Sequence, residues 1–210
     1  MDELLKIAAA NQQRAREVIR DTDLEAIWQQ VGAEPNLVGS LRTGLLMTHR
    51  DIDFHIYSSP LRLADSFAAM ARLAENSRIR SITFNNLLDA PDQCLEWHAW
   101  YADADDRLWQ IDMIHMPKGS AYDGYFERVA DPIACSRCAF FDGGAARIAA
   151  VLTDRTRETI LRLKYETPEA KKIMGIEYYQ AVLRDGVGTY AEFEAWRAAN
   201  PVTGILEWMP

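Results

Sequence analysis

Apolar positions recur at two different periods along this chain, and the switches between them mark its elements. Leu4, Leu5, Ile7, Ala8, Val18 and Ile19 fall at helical spacing and predict a helix over residues 2–20. Thr22-Asp23-Leu24-Glu25 reads as a capping box that opens a second helix with Ile27, Trp28 and Val31 on its apolar face. Gly32 ends that helix and Pro35 blocks its continuation. The period then changes. Leu37-Val38 predicts a short strand that delivers Gly39-Ser40 to its C-terminal end. From Asp51 to Tyr57 the alternation is strict: Ile52, Phe54 and Ile56 on one face of a strand, Asp51, Asp53 and His55 on the other.

Helical spacing returns from Leu61 to Ser77 through Leu63, Phe67, Met70 and Leu73, and Ile79 to Leu88 reads as a strand. Leu95–Tyr101 and Arg107–His115 are aromatic-rich runs around an acidic turn, which predicts a hairpin. On its second strand Gln110, Asp112 and Ile114 share one face, so His115 is expected to point the other way. Glu96 and His98 on the first strand lie across from Gln110 or Asp112 in a register that spacing alone leaves open.

Pro117 and Gly119 mark a boundary, giving an expected core over residues 1–118 and a mainly helical part over 119–210. Residues 121–145 have no clear period. Ile148 to Tyr165 reads as a helix. Thr167-Pro168-Glu169 is expected to restart one, with threonine as N-cap and proline in the first turn, running to Arg184. Thr189-Tyr190-Ala191-Glu192 is a further capping box for a last helix, stopped by Asn200-Pro201. The expected class is α/β (α+β): a mixed-sheet core followed by a helical bundle.

Composition narrows the chemistry. The 210 residues are 49% hydrophobic and 26% charged, the range of soluble globular proteins, with a formal net charge of −8. That charge argues against non-specific nucleic-acid binding, which needs basic surface. No apolar run reaches the ~18 residues of a membrane span, and Met1-Asp2-Glu3-Leu4 lacks a basic leader; a cytoplasmic protein is expected. Cys135-Ser136-Arg137-Cys138 invites a zinc reading, but a structural site needs four ligands and no second pair follows. With Cys94 the cysteines are three, and no disulfide framework is implied.

Asp51 and Asp53 are the chemical signal. Two carboxylates two residues apart on a strand share a face, their Cα atoms roughly 6–7 Å apart, where like charges repel unless a cation lies between them. Ahead of them Gly39-Ser40 permits close backbone approach to a ligand and offers N–H groups to phosphate.

Gly-Ser, about ten residues, then Asp-apolar-Asp-apolar resembles the nucleotidyltransferase superfamily of the polymerase β type, over roughly residues 30–116. The resemblance implies that Asp51 and Asp53 hold Mg²⁺ on a nucleoside triphosphate. It also implies that a third carboxylate on a later strand, here Asp112 in Gln110-Ile111-Asp112-Met113, completes a two-metal site. Gly39, Ser40 and the nearby backbone would hold phosphates, and a short helix is expected between Leu41 and Arg50. Arg42 either contacts phosphate or pairs with surface acids; Lys164, in a basic stretch with Arg155, Arg157, Arg162 and Lys171-Lys172, either reaches the nucleotide or is solvated. In size and layout the chain resembles small antibiotic-modifying adenylyltransferases, which implies transfer of AMP to a small-molecule hydroxyl. The alternatives are a nucleotide-binding or toxin–antitoxin-type module acting on a protein partner, and a globular domain with no site. Trp97, Trp100, Tyr178, Tyr179 and Trp196 either floor an acceptor pocket or fill the core.

Overall fold

The computed structural model describes residues 2–133, 152–202 and 208. In chain order the elements are α1 (Asp2–Asp21), α2 (Leu24–Gln30), β1 (Glu34–Val38), α3 (Gly39–Arg42), β2 (Asp51–Ser58), α4 (Leu63–Leu73), β3 (Ile79–Leu87), β4 (Cys94–Ala102), β5 (Leu108–Pro117), α5 (Tyr125–Ile133), α6 (Asp154–Glu166), α7 (Gly175–Tyr179), a π-helical turn (Gln180–Arg184) and α8 (Tyr190–Ala199). They form two compact units that interleave along the chain: residues 13–41 with 50–127, and residues 1–12 with 42–49 and 128–210. The division is therefore not a single cut at residue 118.

The first unit is a five-stranded mixed sheet in the order β1-β2-β5-β4-β3. β2 and β5 run parallel and every other pair is antiparallel. The alternation in the sequence decides the faces. Ile52, Phe54 and Ile56 of β2, Ile111 and Met113 of β5, and Leu95, Trp97 and Ala99 of β4 are buried. Their side is closed by Leu24 and Trp28 of α2 and by Ala69, Met70 and Leu73 of α4, two helices that pack on each other. His115 lies on this covered side, fully buried, as the strand period requires. Ser58 Oγ lies 2.7 Å from its Nε2 and Ser66 Oγ 3.2 Å from its Nδ1. The Trp97 indole donates to the same Ser66 hydroxyl. Trp97 is thus a core residue. The opposite face carries Asp51 and Asp53, Gln110 and Asp112, and Glu96, His98 and Trp100, all partly exposed.

The second unit gathers α6, α7, the π turn and α8 with the start of α1 and the segment 42–49. That segment is apolar because it is buried: Leu45, Leu46 and Met47 are at most 2% exposed. A buried irregular segment must satisfy its carbonyls. Here Asn11 donates to Met47 O, Gln12 to Gly44 O and Lys164 Nζ to Leu45 O. Tyr178 and Tyr179 are buried in this unit rather than lining an acceptor pocket. Trp196 stacks on Phe193 and its indole donates to Asp185.

Two helix starts differ from expectation, for one reason. Thr22 does not cap α2: its hydroxyl donates to Val18 O and Ile19 O of α1, and α2 begins after a left-handed Asp23 without a side-chain cap. Thr167 likewise closes α6 by donating to Leu163 O, and no helix starts at Pro168; the next begins at Gly175. The capping box at Thr189 and Glu192 is present as expected. Thr189→Ala is expected to lower the unfolding free energy by about 1 kcal/mol, measured by urea denaturation; an unchanged midpoint would show that the cap contributes nothing. Cys135 and Cys138 lie outside the described residues. Among the described residues no helix is long and apolar enough to cross a membrane.

Candidate active site

Strand pairing brings the predicted carboxylates onto one face. Asp53 of β2 stands directly opposite Asp112 of β5, and Asp51 opposite Gln110. Val38, the last residue of β1, pairs with Asp53 on the other side. The chain leaving β1 must therefore turn beside the Asp53 carboxylate. Gly39 makes that turn with φ +68°, in the left-handed region. A Cβ on Gly39 would sit 2.0 Å from Asp53 Oδ2 and 2.7 Å from its Cγ. Only glycine fits, both for its backbone angle and for the space it leaves. Gly39 and Ser40 form the first turn of α3, so the short helix expected in this insert starts at the glycine itself.

Asp112 is held from two sides. His98 Nδ1 donates to its Oδ1 at 2.5 Å, and Gln110 Nε2 donates to Oδ1 at 2.8 Å and Oδ2 at 3.1 Å. The open register is thereby settled: His98 pairs with Asp112, Glu96 with Ile114 and Trp100 with Gln110. Glu96 Oε1 lies 3.5 Å from His98 Nε2, and its other oxygen accepts from Asn85 Nδ2 at 2.8 Å. Burial works against charging His98, but the hydrogen bond and charge of Asp112, aided by Glu96, outweigh it and hold its pKa above the ordinary value. Sequence reasoning places Glu96 and His98 near the site without fixing either. It does not anticipate that Gln110, two residues along the same strand, bonds the carboxylate.

His55 departs from the alternation. It shares the face of Asp51 and Asp53 yet is only 7% exposed, because Phe126 of α5 packs edge-on against it with ring centroids 4.5 Å apart. Burial pushes its pKa down to about 4. The phosphate candidates Arg42 and Lys164 belong to the second unit. Arg42 is exposed at the end of α3. Lys164 is not on a solvated face: it is 6% exposed, and its ammonium lies 5.6 Å and 5.3 Å from the ring centroids of Tyr178 and Tyr179.

The donor chemistry fits Mg²⁺, which takes oxygen ligands and keeps several waters. Asp51, Asp53 and Asp112 offer carboxylate oxygens on one face, and Gly39 lies directly against the Asp53 carboxylate. Among the described residues no three His, Cys, Asp or Glu side chains are already gathered as a metal cluster; Asp112 is engaged by its two hydrogen-bond partners.

No protein-family model and no curated protein matches the sequence. Solved structures do. A structure of a cytoplasmic RNA terminal U-transferase aligns at a TM-score of 0.51 and 14% identity, over 87% of this chain and 53% of that one. The Cid1 poly(U) polymerase aligns at 0.53 and 12% identity, over 86% of this chain and 53% of that one. The poly(A) polymerase structure of GLD-2 with GLD-3 aligns at 0.50 and 12%, over 96% and 64%. This chain thus spans about half the length of the first two. At such identities the likeness is one of fold: the mixed sheet with its helices is arranged as in those structures.

Proposed function

We propose that the protein is a Mg²⁺-dependent nucleotidyltransferase that moves a nucleoside monophosphate from a nucleoside triphosphate to a hydroxyl, with release of pyrophosphate. The observation that carries this is the register of Asp53 against Asp112, with Gly39 pressed against the Asp53 carboxylate. Surface acids have no need of a neighbouring backbone with no room for a Cβ. The fold neighbours, a terminal U-transferase and poly(U) and poly(A) polymerases, support the same reaction class.

In this reading Asp51 and Asp53 hold Mg²⁺ on the triphosphate, and Asp112 serves the acceptor side. Bound Mg²⁺ supplies charge neutralisation at the phosphate oxygens and lowers the pKa of an oxygen it binds. The chain's own task is alignment. Gly39 and Ser40 present backbone to the β- and γ-phosphates. The acceptor oxygen bonds to the α-phosphorus as the bond to the β-phosphate oxygen breaks. Pyrophosphate leaves with that electron pair, and the hydroxyl proton passes to Asp112.

The acceptor we favour is a small molecule and the transferred group AMP, because a net charge of −8 opposes binding a polyanion. A second reading, an RNA 3′ hydroxyl, is favoured by the RNA-extending activities for which the fold neighbours are named. A third, a module that binds nucleotide and acts on a protein, keeps the same triphosphate site without turnover. The deciding experiment is calorimetric titration of non-hydrolysable NTP analogues with and without Mg²⁺, on wild type and Asp53→Asn. It is paired with pyrophosphate release on panels of small alcohols and short RNAs. Mg²⁺-dependent binding that Asp53→Asn removes is expected. A folded protein that binds no analogue would overturn the proposal. Turnover on RNA alone would move the acceptor to the second reading.

A further inference from the structure

We propose that His98, steadied by Glu96, is a positioning residue that fixes the direction of the Asp112 carboxylate. The inference rests on the nucleotidyltransferase reading of Asp112. A polar chain crosses three neighbouring strands on the open face. Asn85 of β3 donates to Glu96 of β4, Glu96 faces His98 Nε2, and His98 Nδ1 donates to Asp112 Oδ1 of β5. Each link between strands is set by register: Asn85 pairs with Glu96 and His98 with Asp112. The three central side chains are each about a quarter exposed, so the chain is sheltered without being sealed.

An aspartate rotates about two side-chain bonds, and a pair of bonds from one neighbour leaves that motion partly open. Gln110 reaches both oxygens but stands on the same strand. His98 approaches from the neighbouring strand and makes the shortest of the three contacts, at 2.5 Å. Two directions of hydrogen bonding define an orientation that one does not. The ring itself is tethered at its far nitrogen by Glu96, so Nδ1 is the atom turned toward Asp112. A bland cross-strand pair would need no partner behind it. Both oxygens of Glu96 are engaged, one by the ring and one by Asn85, which gives the chain a direction that ends on the carboxylate.

The test compares wild type, His98→Ala and His98→Asn, the last keeping a short N–H donor. Two quantities are read for each: Mn²⁺ affinity by electron paramagnetic resonance, and kcat and KM for the nucleotide. Thermal unfolding checks that all three are folded. His98→Ala is expected to weaken Mn²⁺ binding and lower kcat by about 10–100-fold, with the nucleotide KM nearly unchanged, and His98→Asn to recover most of both. Unchanged Mn²⁺ affinity in His98→Ala, or no recovery in His98→Asn, would overturn the proposal. If wild type transfers nucleotide to nothing, it is the nucleotidyltransferase reading that fails, and the Mn²⁺ comparison still decides the role of His98.

Discussion

Gly39→Ala is expected to fold and to lose Mg²⁺-dependent nucleotide binding and turnover. Two costs combine at this position. An alanine at φ +68° sits in the left-handed region, at about 1–2 kcal/mol of stability. The added methyl also overlaps Asp53: its Cβ would meet Oδ2 at 2.0 Å, Cγ at 2.7 Å and even the aspartate Cβ at 3.0 Å. Because the overlap reaches the aspartate Cβ, turning the carboxylate aside does not relieve it, and the strand or the turn must move. A displacement of about 1 Å in a reacting group lowers turnover roughly 100-fold. Gly32→Ala is the matched control, since Gly32 has φ +77° and a methyl there would have nothing within 4 Å. It should lose only the backbone share of stability, about 1–2 kcal/mol, and no nucleotide binding. Calorimetry on both variants separates the two costs; a Gly39→Ala protein that binds nucleotide like wild type would remove Gly39 from the site.

The second large effect is acid instability without any loss of carboxylate pairing. His115 is fully buried between Ser58 and Ser66, with the Trp28 ring 5.1 Å away, and burial pushes its pKa down to about 4. An unfolded histidine titrates near 6.5. The folded value is the lower one, so the contribution is fully present above about pH 6.5 and is lost as pH falls toward 4. Across that window the unfolded chain takes up a proton that the fold refuses, and stability falls by on the order of 3 kcal/mol. His55, also pushed to about 4, adds to the same slope. Urea unfolding at pH 8, 7, 6, 5 and 4 measures it. His115→Gln should start less stable at pH 8, through the lost serine contacts, and decline less steeply. Equal slopes in the two proteins would assign the acid sensitivity elsewhere.

The sheet and its carboxylate face are legible in the sequence because strand burial has a period of two, and the central stretches of β2, β4 and β5 keep to it. The alternation in β2 places Asp51 and Asp53 together, and that in β5 turns Asp112 toward them and His115 away. Register is not legible: an acidic turn of several residues can offset a hairpin by one pair, and His98 meets Asp112 only in the observed pairing. Thr22 and Thr167 mislead for a shared reason. A hydroxyl four residues past a helical carbonyl can close the helix behind it as readily as open one ahead, and both threonines turn backward. Thr189 turns forward, onto the Glu192 amide. The burial of His55 escapes the strand pattern because the residue that covers it, Phe126, lies where the sequence has no period. The burial of Lys164 escapes the helix pattern because nothing local announces that the Leu45 carbonyl lies within its reach.

The interleaved division of the chain has a consequence for biosynthesis. The sheet unit has all its segments once residue 127 has been made, whereas the helical unit draws on residues 1–12, 42–49 and 128–210. During translation the apolar Leu45-Leu46-Met47 loop must wait, with only the start of α1 to pack on, until α6 and α7 leave the ribosome. That interval favours chaperone engagement over early closure, since units fold in the order their parts emerge and distant contacts form slowly. A gene fragment beginning at residue 128 would lack the loop whose carbonyl Lys164 binds, and would yield an incomplete bundle rather than a free-standing domain.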